Sequence, residues 1–446
     1  MKKLRIIILS AIIVAALACV ALAAVYFTTD TFKSNKQLFL KYASQMKVSD
    51  LVDTDFYYAY QNKLKASKIE ETGSIVAEGS SGGGASEEDY RVDYAGRSDN
   101  ANNLSVLAAQ VTAGGSPLLQ FKYLNNDDIY GINIDGILNG YIAVQNKNLK
   151  SLAEKLDMDW ANVPDKIDFS NTLINDADKK AMTDISNKYL NIILGQLTDK
   201  NFTKLGKTAI KVDEKNIQAD GYKMSISGKE AKNIFAKIKE TADNDQDLFN
   251  LINKLYFSNG LKFSDYQSAV DELLSGINVQ DDNAEWLVMN VYQINGRIIG
   301  TNLTVNGTTV IMEYGSGRNI LTISTNGMSV KITRTPGNSG ESYDIAVTPS
   351  ADSGDNSTYS INYTRTGDIN SNTVENKVAF IASDNQSNTG TVTWDDKTNF
   401  VDSVDIEKFS NGNYVLLNNV PKDQLQGFLT DLNNKIMDKL GENKIQ

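Results

Sequence analysis

The stretch EWLVMNVYQINGRIIGTNLTVNGTTVIMEY, Glu285 to Tyr314, carries the clearest structural pattern in the sequence. Two Asn-Gly pairs, Asn295-Gly296 and Asn306-Gly307, separate runs in which apolar residues recur at alternate positions. An Asn-Gly pair in this setting favours a tight hairpin, because both residues tolerate the positive φ of a type I′ turn. The stretch therefore predicts three consecutive antiparallel strands.

The same pattern continues towards the C-terminus. Asn326-Gly327 precedes MSVKIT, and further strands are predicted at SYDIAVT, STYSINYT, NKVAFIAS and GTVTW. Asp395-Asp396 is predicted to lie at a turn, where Asp is favoured for local hydrogen bonding. The chain then ends in a helix with Pro421 in its first turn. Its predicted apolar stripe comprises Leu425, Phe428, Leu429, Leu432 and Ile436.

The N-terminal half mixes helical and strand patterns. Helices are predicted between Thr31 and Ser67, near Leu149–Leu156, over about Asp176–Leu197, after Tyr222, and around Gln246–Tyr256 and Asp265–Leu274. Strands are predicted at LSVLAAQV, LLQFKYL, IYGINI and YIAVQN, and SSGGGASEED is predicted to be a hairpin tip. The apolar positions expected to be buried are Leu38, Phe39, Tyr42, Met46, Ala181, Met182, Ile185, Tyr189, Ile192, Ala231, Ile234, Phe235 and Ile238.

These patterns predict an α+β fold: a large, curved antiparallel β-sheet meander with amphipathic helices packed on one face, preceded by one N-terminal transmembrane helix. The predicted segments are a basic cytoplasmic tail at 1–5, a transmembrane anchor at 6–27, an α+β segment at 31–160, a mainly helical segment at 161–283, and the β-meander with its C-terminal helix at 284–446.

The N-terminal anchor is predicted from an uncharged run that follows Lys2, Lys3 and Arg5. At about 1.5 Å per residue, the run from Ile6 to Phe27 spans a hydrocarbon core of roughly 30 Å. The basic side predicts a cytoplasmic N-terminus and an extracytoplasmic C-terminal part in a single-pass cell-membrane protein. Two alternatives stay open: cleavage after an Ala-x-Ala site, and lipidation of Cys19, although an apolar rather than a polar sequence follows that cysteine. The anchor residues are Ile6, Ile7, Ile8, Leu9, Leu17, Cys19, Leu22, Tyr26 and Phe27.

Composition excludes several classes of chemistry. The chain has no histidine and one cysteine, which rules out histidine-based nucleophile activation, His-ligated metal sites and internal disulfides. A net charge of −11 disfavours nucleic acid as a partner. An exported chain without disulfides fits a Gram-positive bacterial surface protein. We predict no catalytic residue, no cofactor and no metal.

Carboxylates and aromatic side chains offer only weak functional signals. With 55 acidic residues, a carboxylate pair of the kind used in glycoside hydrolysis cannot be picked out by sequence position. The run FYYAY at Phe56 to Tyr60, Trp286 and Trp394 could stack on sugars, but aromatic core is the default interpretation.

The basic start, the anchor, TDTFKSNKQLFLKYASQ and YKMSISGKEAKNIFAKIKE together resemble an uncharacterised family of single-anchor exported proteins from clostridia-like Gram-positive bacteria. That resemblance implies no activity. A long antiparallel sheet with helices laid on it also looks, more distantly and in architecture only, like the half-barrel of the LolA and LppX lipid carriers. This second likeness implies an apolar cavity between sheet and helices.

The leading functional hypothesis is therefore a membrane-anchored, extracytoplasmic, non-enzymatic binding protein for a lipid or another apolar ligand. One alternative is a structural or adhesive cell-surface domain without a small ligand. A second alternative is a carboxylate-based hydrolase of cell-wall glycans, which requires two facing acids in a groove.

Overall fold

The structure is a computed structural model. It describes residues 34–80, 89–156, 176–257, 261–275, 281–349, 357–384, 388–410 and 412–442, together with residues 166, 277 and 279. The predicted anchor at 6–27, with every anchor residue, and the glycine-rich tip of SSGGGASEED lie outside the described residues. Among the helices that are described, none is both long and apolar enough to cross a bilayer.

The described residues form eight α-helices and eighteen β-strands, which confirms the α+β class. The helices, α1 to α8 in chain order, are Asn35–Ala43, Thr54–Ala66, Leu149–Lys155, Asp176–Gln196, Gly228–Ala242, Gln246–Phe257, Phe263–Ser275 and Lys422–Glu442. The strands, β1 to β18, are Lys68–Ser80, Tyr90–Asp99, Leu104–Ala113, Ser116–Asn126, Ile129–Ile134, Tyr141–Gln145, Phe202–Val212, Lys215–Ser227, Glu285–Ile294, Arg297–Val305, Thr308–Tyr314, Asn319–Ser324, Met328–Gly337, Gly340–Pro349, Thr358–Thr366, Thr373–Ser383, Thr389–Val401 and Tyr414–Leu416.

The chain divides by contact into two compact units, each assembled from separate pieces of sequence. The first contains the described residues up to Thr54 and those from 176 to Thr335. The second contains Asp55 to 156, residue 166, Pro336–Pro349 and the described residues from 357 onwards. The segments predicted above divide the chain by sequence pattern, whereas these units divide it by spatial contact.

The first unit is an antiparallel meander in the order β7-β8-β9-β10-β11-β12-β13, and α1 and α4 to α7 share one hydrophobic core with it. Asn295-Gly296 and Asn306-Gly307 both have two positive φ values, 52° and 83° in the first pair and 45° and 78° in the second, which confirms the predicted hairpins. Ser227 begins α5 with a capping box, because its hydroxyl accepts from Glu230 N while the Glu230 carboxylate accepts from Ser227 N.

Most of the predicted buried stripe is confirmed in this core. Leu38, Phe39, Tyr42 and Met46 are buried, and the Phe39 and Tyr42 rings contact Phe202 and Tyr222 at 5.4 Å between centroids. Ala181, Ile192 and Phe235 are only half-buried, and the prediction for Met182 is wrong, because this side chain of α4 is 39% exposed.

The second unit contains eleven strands in the order β14-β15-β16-β17-β1-β2-β3-β4-β5-β6-β18. All neighbours are antiparallel except β6 and β18, which pair in parallel. The strand β1 pairs with β17 over its whole length, so the first strand of the unit joins its C-terminal strands to the β2–β6 meander. Leu425 of α8 is fully buried in a small core with Ile142, Leu152 and Leu417.

Candidate functional site

The second unit's sheet has two chemically different faces, because successive side chains along each strand point to opposite sides. One face of β1, β2 and β14–β17 carries charged and hydroxyl side chains. Cross-strand ion pairs on it include Lys397–Glu375 at 2.8 Å and Lys377–Asp395 at 3.2 Å. An open depression of about 440 Å³ is lined by residues of β1, β2 and β15–β17, and another of about 620 Å³ by residues of β2–β5 and the turn that follows.

The opposite face carries an apolar surface, which we call the apolar patch. Two rows of directly paired residues, two positions apart along each strand, cross six neighbouring strands. The rows are Val92, Ile75, Trp394, Val378, Tyr363, Tyr343 and Tyr90, Ala77, Val392, Phe380, Ile361, Ile345. We include Tyr359 in the patch because its ring stacks on that of Phe380, with 6.4 Å between centroids.

Six large side chains of the apolar patch are 37–47% exposed. They are Ile75, Tyr90, Tyr359, Phe380, Val392 and Trp394. Single exposed apolar residues need no explanation, but a contiguous group on one sheet face is the usual sign of an interaction site.

A depression of about 500 Å³ borders the outer end of the apolar patch. Tyr359 lines it together with Gly79, Ala382 and Gly390, which are directly paired neighbours of the next row. A Cβ at Gly390 would meet no heavy atom within 4 Å, so open space lies above this glycine.

A third row, which we call the polar row, borders the other side of the apolar patch. Its members are likewise paired strand by strand across β2, β1, β17, β16, β15 and β14. In that order they are Tyr94, Gly73, Asp396, Asn376, Arg365 and Glu341.

At one end of the polar row lies a buried ion pair. Arg365 Nη2 is 3.2 Å from Glu341 Oε1, and both side chains are more than nine-tenths buried. The Tyr343 hydroxyl donates to Glu341 Oε2 at 2.8 Å. Arg365 also stacks on Phe56 of α2, with 3.2 Å between Cζ and the ring centroid.

In the middle of the row lies a pair of carboxyl groups. Asp396 is 6% exposed and accepts hydrogen bonds from Tyr94 Oη at 3.0 Å and from Asn376 Nδ2 at 3.4 Å. Glu71, two residues before Gly73 on the same face, is hydrogen-bonded to Asp396. Burial, this hydrogen bond and the charge of Asp396 raise the pKa of Glu71 to about 7, so the pair holds one proton over much of the acidic range.

Gly73 makes this arrangement sterically possible. A Cβ at this position would lie 2.3 Å from Tyr94 Oη and 2.4 Å from the Asp395 carbonyl oxygen. The missing side chain lets the Tyr94 ring cross over β1 to reach Asp396 on β17. Trp394 Nε1 in turn donates to Tyr94 Oη at 2.7 Å, which links the apolar patch to the polar row.

Helix α2 covers the side of the polar row away from the apolar patch. The Tyr60 hydroxyl donates to Thr398 Oγ1 at 3.2 Å, and the Thr398 hydroxyl donates to Asp396 Oδ2 at 3.4 Å. Lys63 Nζ lies 4.0 Å from the Phe400 ring centroid and donates to the carbonyl oxygens of Ile369 and Ser371.

The carboxyl pair does not suit two chemistries considered from the sequence. Glycoside hydrolysis needs carboxyl groups about 5 Å or more apart, whereas Glu71 and Asp396 hydrogen-bond directly. Within the described part of the chain, no three acidic or cysteine side chains converge as a metal site would require.

The structure separates the aromatic candidates. Trp394 lies in the apolar patch, and Phe56 and Tyr60 of α2 stack on one another at 5.3 Å. Trp286 belongs to the first unit and packs edge-on against Phe235.

The prediction of a turn at Asp395-Asp396 is wrong, because both residues lie inside β17. Glu71, Gly73 and Tyr94 were not singled out from the sequence at all. The alternation within TVTWDDKTNF is the one signal that could have placed Asp396 on the same face as Trp394.

The described residues thus define an α+β protein whose strands pair almost entirely antiparallel, and its second unit presents an exposed apolar patch beside a partly buried polar row. The chain belongs to a family of unknown function, DUF6583, whose sequence model matches residues 1–443. This confirms that the family is uncharacterised. The clostridial source and the single anchor stay predictions.

No curated protein matches the chain. Among solved structures it is similar to a mutant of the porin of Rh. blastica, at 7% identity and a TM-score of 0.18, covering 74% of this chain and 99% of that one. It is also similar to OmpT, an outer membrane protein of Vibrio cholerae, at 8% identity and a TM-score of 0.15, covering 76% and 99%. Likeness at these TM-scores carries no argument about fold or function. The architectural likeness to LolA-type lipid carriers stays a prediction.

Proposed function

We propose that this protein is a membrane-anchored, extracytoplasmic binding protein, not an enzyme, and that it holds a lipid-like amphiphile on the second unit's apolar patch. The observation that carries the proposal is the contiguous exposure of Ile75, Trp394, Val392, Phe380 and Tyr359 beside the polar row. Removing that surface from water is favourable at about 25 cal/mol per Å² of apolar area.

The shape and chemistry of the surface favour a flexible apolar chain over a peptide. The strands β15, β16, β17, β1 and β2 are each paired on both sides, so their backbones offer no open edge to an added strand. Recognition here depends on side chains. The two apolar rows cross six strands, about 24 Å at about 4.8 Å per strand, and the depression beside Tyr359 extends the surface further.

The polar row supplies the polar end of an amphiphile site. Hydroxyl and amide groups of Tyr94 and Asn376 lie at the border of the patch, where a head group would meet them. The predicted anchor supports this assignment, since it would keep the unit next to a bilayer. The sequence predicted a ligand cleft between sheet and helices. In this proposal the ligand lies instead on an exposed sheet surface. The two large depressions do not serve as that cleft, because charged residues line both of them.

The test is native mass spectrometry of the full-length chain, released from a mild detergent, with identification of bound lipid. We expect one lipid-like molecule per wild-type chain. The double variant Phe380→Ser/Trp394→Ser should lose it, because both side chains lie in the patch. Met328→Ser is the matched control, since Met328 is 45% exposed but lies in the first unit.

This design separates the patch from lipid that adheres to the anchor. Lipid held by the anchor would persist in both variants and would overturn the proposal. A wild-type chain without bound lipid would also overturn it, and would leave the adhesive surface domain as the better interpretation.

A further inference from the structure

We propose that the Glu71–Asp396 carboxyl pair is a proton-controlled latch that holds helix α2 on the second unit's sheet. When the pair keeps its shared proton, α2 stays docked. When the pair loses that proton, α2 detaches and more apolar surface is exposed on this side of the sheet. The inference concerns the protein without ligand and does not depend on the proposed lipid.

The first observation is that α2 is weakly held. None of its residues is buried, although the helix has thirteen residues. Its contacts with the rest of the unit include Tyr60 with Thr398, Phe56 with Arg365, Lys63 with two carbonyl oxygens, and the Leu64 carbonyl oxygen, which accepts from Asn100 Nδ2 at 2.7 Å. A helix with no buried residue has a low free energy of local opening, because undocking it exposes little apolar core.

The second observation is a direct hydrogen-bonded path from the latch to the helix. Tyr60 Oη donates to Thr398 Oγ1, and Thr398 Oγ1 donates to Asp396, which is bonded to Glu71. Thr398 is only 3% exposed while α2 covers it. Tyr60 therefore shields Thr398, and with it this side of Asp396, from water.

The third observation is that the charges facing the pair do not neutralise a second negative charge. From β15 and β14 come Arg365 and Glu341, which form an ion pair with each other. From α2 come Tyr60 and Lys63, and the Lys63 ammonium is held by two carbonyl oxygens. From β2 comes the Tyr94 hydroxyl. Two ionised carboxylates in contact in this setting repel strongly, and hydration after α2 leaves relieves the repulsion.

Undocking would enlarge the apolar face. Ile69 and Val374, 7% and 1% exposed, lie on the covered side of the polar row, and Phe400 packs against Tyr60. Raising the pH should therefore expose a larger apolar surface on the same side of the sheet as the apolar patch.

The experiment is hydrogen–deuterium exchange of the full-length chain in detergent, read by mass spectrometry on peptides of α2. At pH 8 we expect α2 to exchange at least about tenfold faster in the wild type than in Glu71→Gln, whose amide cannot ionise. Comparison at one pH removes the intrinsic pH dependence of exchange. Glu70→Gln is the matched control, because Glu70 points to the polar face and pairs with the exposed Arg97.

Equal exchange of α2 in the wild type and Glu71→Gln at pH 8 would overturn the latch, as would equal acceleration in Glu70→Gln. If Glu71→Gln does not fold, the pH dependence of exchange in the wild type alone tests the latch. Protection of α2 relative to α5 should then fall around pH 7, and a constant ratio from pH 5.5 to 8.5 would overturn the inference.

Discussion

The ion pair between Arg365 and Glu341 provides the sharpest test of the polar row. Replacing Arg365 with Met leaves the Glu341 carboxylate buried without its cation. Breaking a buried pair in this way costs about 3–5 kcal/mol of the free energy of unfolding. Because the Tyr343 hydroxyl still donates to Glu341, we expect the lower end of that range, about 3 kcal/mol.

The double variant Glu341→Leu/Arg365→Met should behave differently. It removes both charges and fills the space with apolar side chains, so we expect its stability to lie within about 1 kcal/mol of the wild type. Arg97→Met is the control, because Arg97 and Glu70 are about half exposed and 3.5 Å apart. Such an exposed pair contributes about 0–1 kcal/mol.

Urea unfolding of the full-length chain in detergent, followed by circular dichroism, measures these differences. With a slope of about 3 kcal/mol per M, a loss of 3 kcal/mol lowers the urea midpoint by about 1 M. A double variant as unstable as Arg365→Met would refute the reasoning, because the loss would then come from packing and not from an unpaired charge. An equal loss in Arg97→Met would refute it as well.

Three further outcomes are expected. The raised pKa of Glu71 means that the folded protein binds more protons than the unfolded chain between pH 4.5 and about 7, so the free energy of unfolding should fall as pH rises through this window. Allowing for the partial exposure of Glu71, we expect urea titrations to show a free energy of unfolding about 2 kcal/mol lower at pH 8 than at pH 5, and no such difference in Glu71→Gln. An identical difference in the variant would contradict the assignment of this effect to Glu71. Gly73→Ala should lower the free energy of unfolding by about 1–3 kcal/mol and weaken the Tyr94–Asp396 hydrogen bond. Gly390→Ala should be near neutral, because open space lies above this glycine. Equal thermal unfolding midpoints for the two variants would count against the steric argument. Asn306→Ala should cost about 1 kcal/mol because φ is 45° there, while Asn306→Gly should be tolerated; a tolerated alanine in the same assay would show that the turn relaxes.

Local features of the fold were predictable because local chemistry determines them. Asn295-Gly296 and Asn306-Gly307 form hairpins because both residues accept positive φ. The buried stripe of α5, with Ala231, Ile234 and Ile238, follows from helical periodicity. The prediction that Met182 is buried was wrong, because an apolar side chain on the edge of a stripe carries no information about whether a neighbouring element covers it.

The candidate site was not predictable, because it depends on which strands pair. Glu71 and Asp396 are far apart in sequence and meet only because β1 pairs with β17. Alternation places each residue on one of two faces, but the register that aligns Gly73 with both Asp396 and Tyr94 is set by the whole strands. Two adjacent acids also resemble a turn signal, which explains the wrong prediction at Asp395-Asp396.

The absence of histidine gives the carboxyl pair its particular interest. Histidine is the side chain whose ordinary pKa lies nearest neutrality, so in a chain without it the side chains that titrate there are those with displaced pKa values. Burial and Asp396 move the pKa of Glu71 into this range, and the same two carboxyl groups connect through Thr398 and Tyr60 to helix α2. A response to pH near 7 in this protein should therefore change the docking of α2 first. If the wild-type chain shows such a response and Glu71→Gln keeps it unchanged, the titrating group lies elsewhere and the polar row has a purely structural role.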